Sequence, residues 1–573
     1  MLLHRYVEGV YRPDSAVSRS HAPNPDRDEV FPLPAINSPT LGLWNLNLND
    51  GPPCGPDAHA RDQAWRKSII RGRCKSSAQY SSTTVQVHVL TLGEVQYLTI
   101  DLLPDNVLLG IFKVYVNEAT QTQEWHALVH VCRRWRDVVF SSPRHLDLRL
   151  VCTTRTPVRA RLAIWPAFPI AVTGSVDPVP LVVVTDNIMA ALENKDRVCR
   201  IDLKRIPNPL LVEIAAALEE PFSALTDMAL ESNHKMELEL PNTLLGGFAP
   251  RLRSLRLSGV PFPAIPEVLL SAAHLVSLQL WDIPHSAYIS PDDMVTCLST
   301  LMRLNALYLG FRSPLSRTDR TTPRLPSPTL VVLPALFTLE FKGVSEYFED
   351  LAAKIDAPQL NTLLTFFFNQ LIFEIPQLVQ FICRTDELKA PNRADVFFHD
   401  DFVKFSLFPK TQTANCGGLG IVIESRVSAS DWQLSSVAQL CNSFLFPLST
   451  LENIAIYDPE GLSRFPFESH WRERMDDTQW LELLHPFSAV KNLFLSHRLV
   501  QYVLPALRYH DEEGLGITEV LPALQNLLIE KFVPWLPVRE EIREFVDARV
   551  LSGHPMSVYR WPGFRELFIE RQH

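Results

Sequence analysis

The chain has 573 residues, 46% of them hydrophobic and 21% charged, with a formal net charge of −10 from 54 basic and 64 acidic side chains. That length fits several domains or one elongated array. The apolar content excludes disorder throughout, and the acidic excess argues against a basic nucleic-acid-binding domain.

Residues 1–95 hold nine prolines and little periodicity, so this segment is expected to be mostly disordered. Within it, Arg66 to Lys75 (RKSIIRGRCK) carries five basic side chains and reads as a solvated stretch. Nine scattered cysteines without a Cys-x-x-Cys fit reduced thiols better than a disulfide framework. The most apolar long stretch, Leu363 to Ile382, is broken by Asn369, Gln370, Glu374, Pro376, Gln377 and Gln380. With no secretory leader pattern at its start, the chain is expected in the cytoplasm, the nucleus or both, and not in a membrane.

From 96 to 150 the pattern turns helical. Pro104 suits a first helical turn, and Asp105 favours the positive end of the helix. Val107, Leu108, Ile111, Phe112 and Tyr115 then form one stripe. After a polar connector (NEATQTQ), a second helix carries Trp125, Leu128, Cys132, Trp135 and Val139 at steps of three and four. Two short helices make a small core, so part of this apolar surface is expected to await a partner.

Residues 151–195 read as a proline-punctuated connector with one or two strands. From 196 to 573 the template Leu-x-x-Leu-x-Leu recurs, with apolar substitutions. It starts at Val198, Leu225, Leu252, Leu275, Leu304, Leu336 and Leu360, and again at Leu451, Val490 and Leu524. The first six spacings are 27, 27, 23, 29, 32 and 24 residues, the period of leucine-rich repeats. Amphipathic helical segments precede most of these strands, as in SPDDMVTCLSTLMRL before Leu304. Helix then short strand, repeated, predicts an α/β solenoid with a parallel sheet on its concave side. Ser313 to Thr329, with four prolines, reads as an inserted loop. Between 369 and 450 the template lapses into irregular repeats, where DDFVKFSLF and GGLGIVIES still look like strands. A last helix and strand near EEIREFVDARVLSGHPMSVYRW would cap the array.

Leu103-Pro104, Ile111-Phe112 and Val131-Cys132-Arg133-Arg134-Trp135 together resemble an F-box, the helical module that docks proteins onto a ubiquitin-ligase scaffold. The acidic residue after the proline stands one place early, at Asp105, and His145-Leu146 replaces the usual Leu-Trp. The span from Leu102 to about Phe408 resembles the F-box proteins expanded in mushroom-forming fungi. The resemblance implies a helical F-box followed by a degenerate leucine-rich-repeat solenoid. It also implies a substrate receptor that binds a Skp-family adaptor and, through it, cullin. The adaptor-binding candidates are then Leu103, Pro104, Ile111, Phe112, Val131, Cys132 and Trp135. A ligase-independent repeat scaffold is the alternative.

In each template the leucines point into the core, so the third, fifth and seventh positions face the concave side. These include Arg256, Trp281, Tyr308, Glu340, Lys342, Tyr457 and Phe494, the candidates for contact with a target protein that the sequence does not identify. His126 and His130 near Cys132 lack a fourth metal ligand, and Asp292-Asp293 reads as a helix start. Cys416 to Gly420 (CGGLG) lacks the lysine of a phosphate loop. No nucleophile, base and orienter assemble, so no enzyme activity, cofactor, metal or catalytic residue is expected.

Overall fold

The computed structural model describes residues 87–561 except 92–93, 99, 119–124, 144, 177–180, 233–242, 262, 264, 314–329, 369–374, 400, 410–416, 425–430, 445–447, 459–476, 509–519 and 531–535. Residues 1–86 with the basic Arg66–Lys75 stretch, the connector at 119–124 and the proline-rich insert at 314–329 lie outside the described residues.

An antiparallel pair, β1 (Val87–Thr91) and β2 (Glu94–Leu98), precedes three helices: α1 (Asp105–Glu118), α2 (Trp125–Val129) and α3 (Arg133–Ser141). The second helix expected from the sequence is thus two helices. Cys132 has extended backbone (φ −154°, ψ 170°), and its Sγ accepts the Trp135 N–H at 3.5 Å. It caps α3 where the sequence pattern placed a helix interior.

The repeat array begins earlier than the sequence pattern indicates. Strands β3 (Leu150–Thr153) and β4 (Ile170–Ser175), separated by helix α4 (Val158–Ile164), stand where one or two connector strands are expected, β3 starting one residue before 151, and both belong to the array's sheet. Then follow α5 (Leu181–Leu192), β5 (Val198–Ile206), α6 (Asn208–Ala217), β6 (Asp227–Ser232), β7 (Ser254–Ser258), α7 (Ile265–Ser271) and β8 (Ser277–Ile283). The series continues with α8 (Pro291–Leu298), β9 (Ala306–Phe311), β10 (Thr338–Gly343), α9 (Ser345–Ala352), β11 (Thr362–Phe368) and α10 (Pro376–Arg384). Next come β12 (Pro391–Phe398), β13 (Phe402–Pro409), β14 (Gly418–Glu424), α11 (Asp431–Ser443), β15 (Asn453–Tyr457), α12 (Asp477–Leu484) and β16 (Asn492–Leu495). Helix α13 (Val500–Arg508), β17 (Asn526–Glu530), α14 (Leu536–Leu551) and β18 (Ser557–Trp561) complete the array.

The sixteen strands β3–β18 form one sheet, in chain order except at the centre, where β11 is followed by β14, β13, β12 and then β15. Every pairing is parallel except those of β13, which runs antiparallel to both neighbours. Chain length explains the exception. A parallel return needs a crossover of a dozen or more residues. Only residues 399–401 join β12 to β13, and 410–417 join β13 to β14. The chain therefore zigzags before α11 restores the helix crossover. The sequence reading anticipated strands here in the same array, and the structure corrects their direction.

Template leucines stack across the ladder. Leu255, Leu278, Leu307, Leu339, Leu363 and Leu419 are register partners strand to strand, and all are buried. Each such side chain contributes about 1.5–3 kcal/mol by leaving water. Neighbouring helices pack on one another along the chain, as α7 on α8, α8 on α9 and α9 on α10. Paired strands lie about 4.8 Å apart and packed helices 8–10 Å apart, so the helical layer forms the outside of a curve. The alternate strand residues, between the leucines, line the inner face. The chain is thus a helix–strand repeat array of leucine-rich-repeat type, opened by a helical module.

Candidate functional site

Two surfaces carry the residues singled out by sequence. In the helical module, Phe112 is 1% exposed, with its ring centroid 4.7 Å from that of Trp135. Phe112 therefore holds α1 to α3 instead of presenting itself, because the hairpin needs an aromatic core of its own. Leu103, Ile111, Cys132 and Trp135 are half-buried, and Pro104 is exposed. Val131 is 59% exposed, and Leu102, Val107 and Val114 join it as large apolar side chains in water.

The sequence pattern gave no role to Arg134. Its guanidinium bonds Asp105 Oδ1 through Nε at 3.0 Å and Nη2 at 2.7 Å, and Nη2 also donates to the Leu103 carbonyl at 2.5 Å. This staples the Leu-Pro segment to α3, and the early position of Asp105 is what supplies the partner. Trp125 anchors the module to the array: its Nε1 donates to the Arg149 carbonyl at 3.2 Å. Its ring meets Trp165 at 5.4 Å and Phe168 at 5.5 Å.

The second surface is the inner face. Arg256, Tyr308 and Glu340 share one cross-strand row with Gln279 between the first two. Trp281 lies 5.9 Å from Tyr308, centroid to centroid, and over Gly310, where a side chain would collide with its ring. Arg256 is exposed, and the other six candidates are half-buried. The meander β12–β14 separates them into two groups, with Tyr457 and Phe494 beyond it.

Between those groups, around the candidate Lys342 of β10, sit residues that are not among the candidates, at alternate positions of the meander and β11. Lys342 Nζ is 3.1 Å from Glu424 Oε1 and lies 5.9 and 5.3 Å from the Phe366 and Phe368 ring centroids. Arg393 grips Asp395 through Nε at 2.5 Å and Nη2 at 2.8 Å, with its guanidinium 5.9 Å from both the Phe408 and Phe494 rings. Lys342, Phe366, Val422, Lys404, Phe397 and Tyr457 form one continuous row. The period-two alternation in ADVFF and FVKFSLF is the signal that marks them.

Burial shapes the charges here. Desolvation raises the Glu340 carboxyl to about 7, against the opposing pull of Lys342 and Lys404. Desolvation also lowers the Lys404 ammonium, while Asp395 and Glu340 raise it. Burial raises Asp395, with Arg393 the main opposing charge. Further along, amides bridge neighbouring strands: Asn492 donates to Asn453 and Asn526 to Asn492, each at 2.8 Å.

The remaining candidates do not converge. His126 stacks on Trp165 at 4.8 Å, while His130 is exposed. Asp292 pairs with Lys354, and Asp293 bonds the helix-capping Ser290 at 2.7 Å. Gly418 and Gly420 lie in β14, and Cys416 is outside the described residues. Among the described residues, no group of three or more His, Cys, Asp or Glu side chains is placed to hold a metal ion.

No protein-family profile matches the sequence, and no curated protein matches it. Among solved structures, the leucine-rich repeat-containing protein LegL7 from Legionella pneumophila is similar over 69% of this chain and 97% of its own. The identity is 12% and the TM-score 0.24.

Proposed function

We propose that this chain is a substrate-receptor subunit of a Skp–cullin–F-box ubiquitin ligase. On this reading the helical module is an F-box that docks a Skp-family adaptor, and the inner face of the array holds the target protein. The observation that carries the reading is the helical module itself. Its Leu-Pro and Val-Cys-Arg-Arg-Trp segments are pinned together by Arg134, while Leu102, Val107, Val114 and Val131 stay exposed. Exposed apolar side chains on so small a module mark a binding surface. The likeness to the F-box family of mushroom-forming fungi belongs to the same proposal.

The chain would perform no bond chemistry. It would tether a target near the ubiquitin-loaded enzyme, converting an encounter into an intramolecular reaction. Its place of work would be the cytoplasm or nucleus, where the adaptor and cullin are found.

The test is co-expression of the full chain with a Skp-family adaptor and cullin. Wild type is expected to capture both. Val131→Asp and Leu102→Asp together are expected to weaken adaptor binding at least about tenfold, since burying an unpaired charge is costly. Tyr308→Ala on the inner face is expected to leave it unchanged. Failure of the wild-type chain to bind the adaptor overturns the proposal. Capture of the adaptor without cullin favours the ligase-independent scaffold.

A further inference from the structure

The inner face is not uniform. Its centre, where β10, β11, β14, β13 and β12 lie side by side, gathers three cations (Lys342, Arg393, Lys404) and three carboxyl groups (Glu340, Asp395, Glu424) among aromatic rings. Four of the six are committed to each other, as Lys342 with Glu424 and Arg393 with Asp395. Two are not. Among the described residues, neither the Glu340 carboxyl nor the Lys404 ammonium makes a hydrogen bond or a close ion pair.

These two side chains share a small area. Glu340 stands in the cross-strand row that continues through Leu364 to Gly420. A methyl group placed on Gly420 would lie 3.7 Å from Lys404 Cε, so the lysine stem leans over that glycine into the row. Lys404 projects from a strand three spacings from that of Glu340, and its stem reaches over Gly420, two spacings or about 10 Å from Glu340. Tyr308 flanks Glu340, and Phe366 and Phe397 lie in the row of Lys404. A half-buried donor and acceptor without partners cost folding energy that a ligand would repay.

We propose that this centre is the target-reading site of the inner face, and that it takes an extended peptide segment with no net charge. Amide groups of the peptide would meet Lys404 and Glu340, and an apolar or aromatic side chain would lie on Tyr308 and Phe366. The proposal rests on the reading of the inner face as a target-binding surface.

Charge complementarity selects this occupant. The six charges sum to zero, and the two strongest donors, Lys342 and Arg393, are already bonded to carboxylates. A phosphorylated or acidic segment would find one free cation beside three carboxyl groups, and a basic segment would meet three cations. An amide offers an oxygen to Lys404 and an N–H to Glu340 at once, and serves equally whether Glu340 is charged or neutral. The near-neutral titration of Glu340 fits such a ligand. Four strand spacings span about 20 Å, which about six extended residues would cross.

The experiment is selection of a display library of random linear peptides on the full chain, with a parallel library of phosphoserine-containing peptides. Selected peptides are then synthesised and their affinities measured. Peptides without net charge, rich in Asn, Gln and aromatic residues, are the expected winners. Their affinity should fall about tenfold or more in Glu340→Ala and in Lys404→Ala, and recover in part in Lys404→Gln, which restores an N–H donor. It should change little between low and high salt.

A second readout needs no variant. Reductive methylation followed by mass spectrometry should label Lys404 in the free chain and spare it with peptide bound. Enrichment of phosphorylated, acidic or basic peptides overturns the proposal. So does binding that Glu340→Ala and Lys404→Ala both leave intact, methylation of Lys404 unaffected by peptide, or the absence of any binder. Adaptor capture is measured on the same preparations. A peptide result that fails while adaptor capture succeeds sinks this inference and leaves the receptor reading standing.

Discussion

The regular repeats from β5 to β11 and the meander β12–β14 continue one sheet by different physical means. In the regular repeats each strand is parallel to the last, and helices such as α8 and α9 fill the crossovers with buried leucines. In the meander the connections are too short for helices, so the strands reverse. Its inner-face positions then carry four charged side chains: Asp395, which is buried, and Arg393, Lys404 and Glu424, which are half-buried. Hydrophobic stacking supplies the repeat's stability, and polar groups stand on the inner face in both regions: Arg256, Gln279, Glu340 and Lys342 on regular strands, and Arg393, Asp395, Lys404 and Glu424 in the meander, where the Arg393–Asp395 pair is the more deeply buried ion pair. A region freed from the template can present chemistry that leucine periodicity does not specify.

The sharpest way to break this contrast is to remove one charge from the meander. Asp395→Ala leaves the Arg393 guanidinium, itself only 13% exposed, without its carboxylate. The expected loss is about 4 kcal/mol, typical of removing one partner from a buried ion pair. Replacing both partners by apolar residues of similar volume should cost far less. Denaturant midpoints of the single and double variants decide the matter: equal losses would show that the ion pair is not coupled.

The matching change in the regular block is Leu307→Ala. Leu307 is fully buried between Leu278 and Leu339. Truncation should cost about 3 kcal/mol through lost burial and a residual cavity. Because repeats unfold through their neighbours, hydrogen exchange should rise first in β8, β9 and β10. Uniform acceleration across all sixteen strands would mean that the array behaves as one cooperative block.

A pH experiment probes the boundary between the two regions, where Glu340 faces the meander. Burial raises its folded-state value from 4.5 to about 7. The folded chain therefore holds the proton more tightly than the unfolded chain between those values. Stability falls as pH rises from about 4.5 through about 7 and is level above, with a drop of roughly 1–3 kcal/mol from this group. Glu340→Gln should abolish that drop and make the variant the more stable protein above pH 7. Parallel pH curves for both proteins would remove Glu340 as the cause.

How legible all this was in the sequence follows the same division. The strands from Val198 to Leu360 were readable because every second residue must be apolar where one face is buried. One or two strands were expected where β3 and β4 stand, but their membership of the array was masked by Pro157, Pro166 and Pro169, and by Val, Ile and Ala standing where leucine is sought. Two of the meander's strands, β13 and β14, were read from the sequence, but β12 and the direction of β13 were not. Direction is set by connection length, which the leucine template ignores. In the helical module the helical stripe was visible, whereas the break at His130 to Cys132 was not, because the 3-and-4 spacing of the apolar residues carries across it. Phe112 and Trp135 read alike as docking residues, and only packing separates the buried ring from the half-buried one. Lys404 and Arg393 lay outside the template and so went unmarked.

The smallest effect tests how strictly the leucine face excludes polar groups. Thr365 occupies a leucine-row position in β11, between Phe341 and Ile421, and is fully buried. Among the described residues, its hydroxyl oxygen has no hydrogen-bond partner. An unmet buried hydroxyl costs about 1–3 kcal/mol, and valine has the same shape without it. Thr365→Val should therefore stabilise the chain by about 1 kcal/mol, seen as a higher denaturant midpoint with an unchanged slope. Thr365→Ser, which keeps the hydroxyl and loses the methyl, should destabilise by a similar amount. A less stable valine variant would mean that the hydroxyl is hydrogen-bonded in solution. The leucine face would then tolerate polar groups by satisfying them, as the meander does with its ion pair.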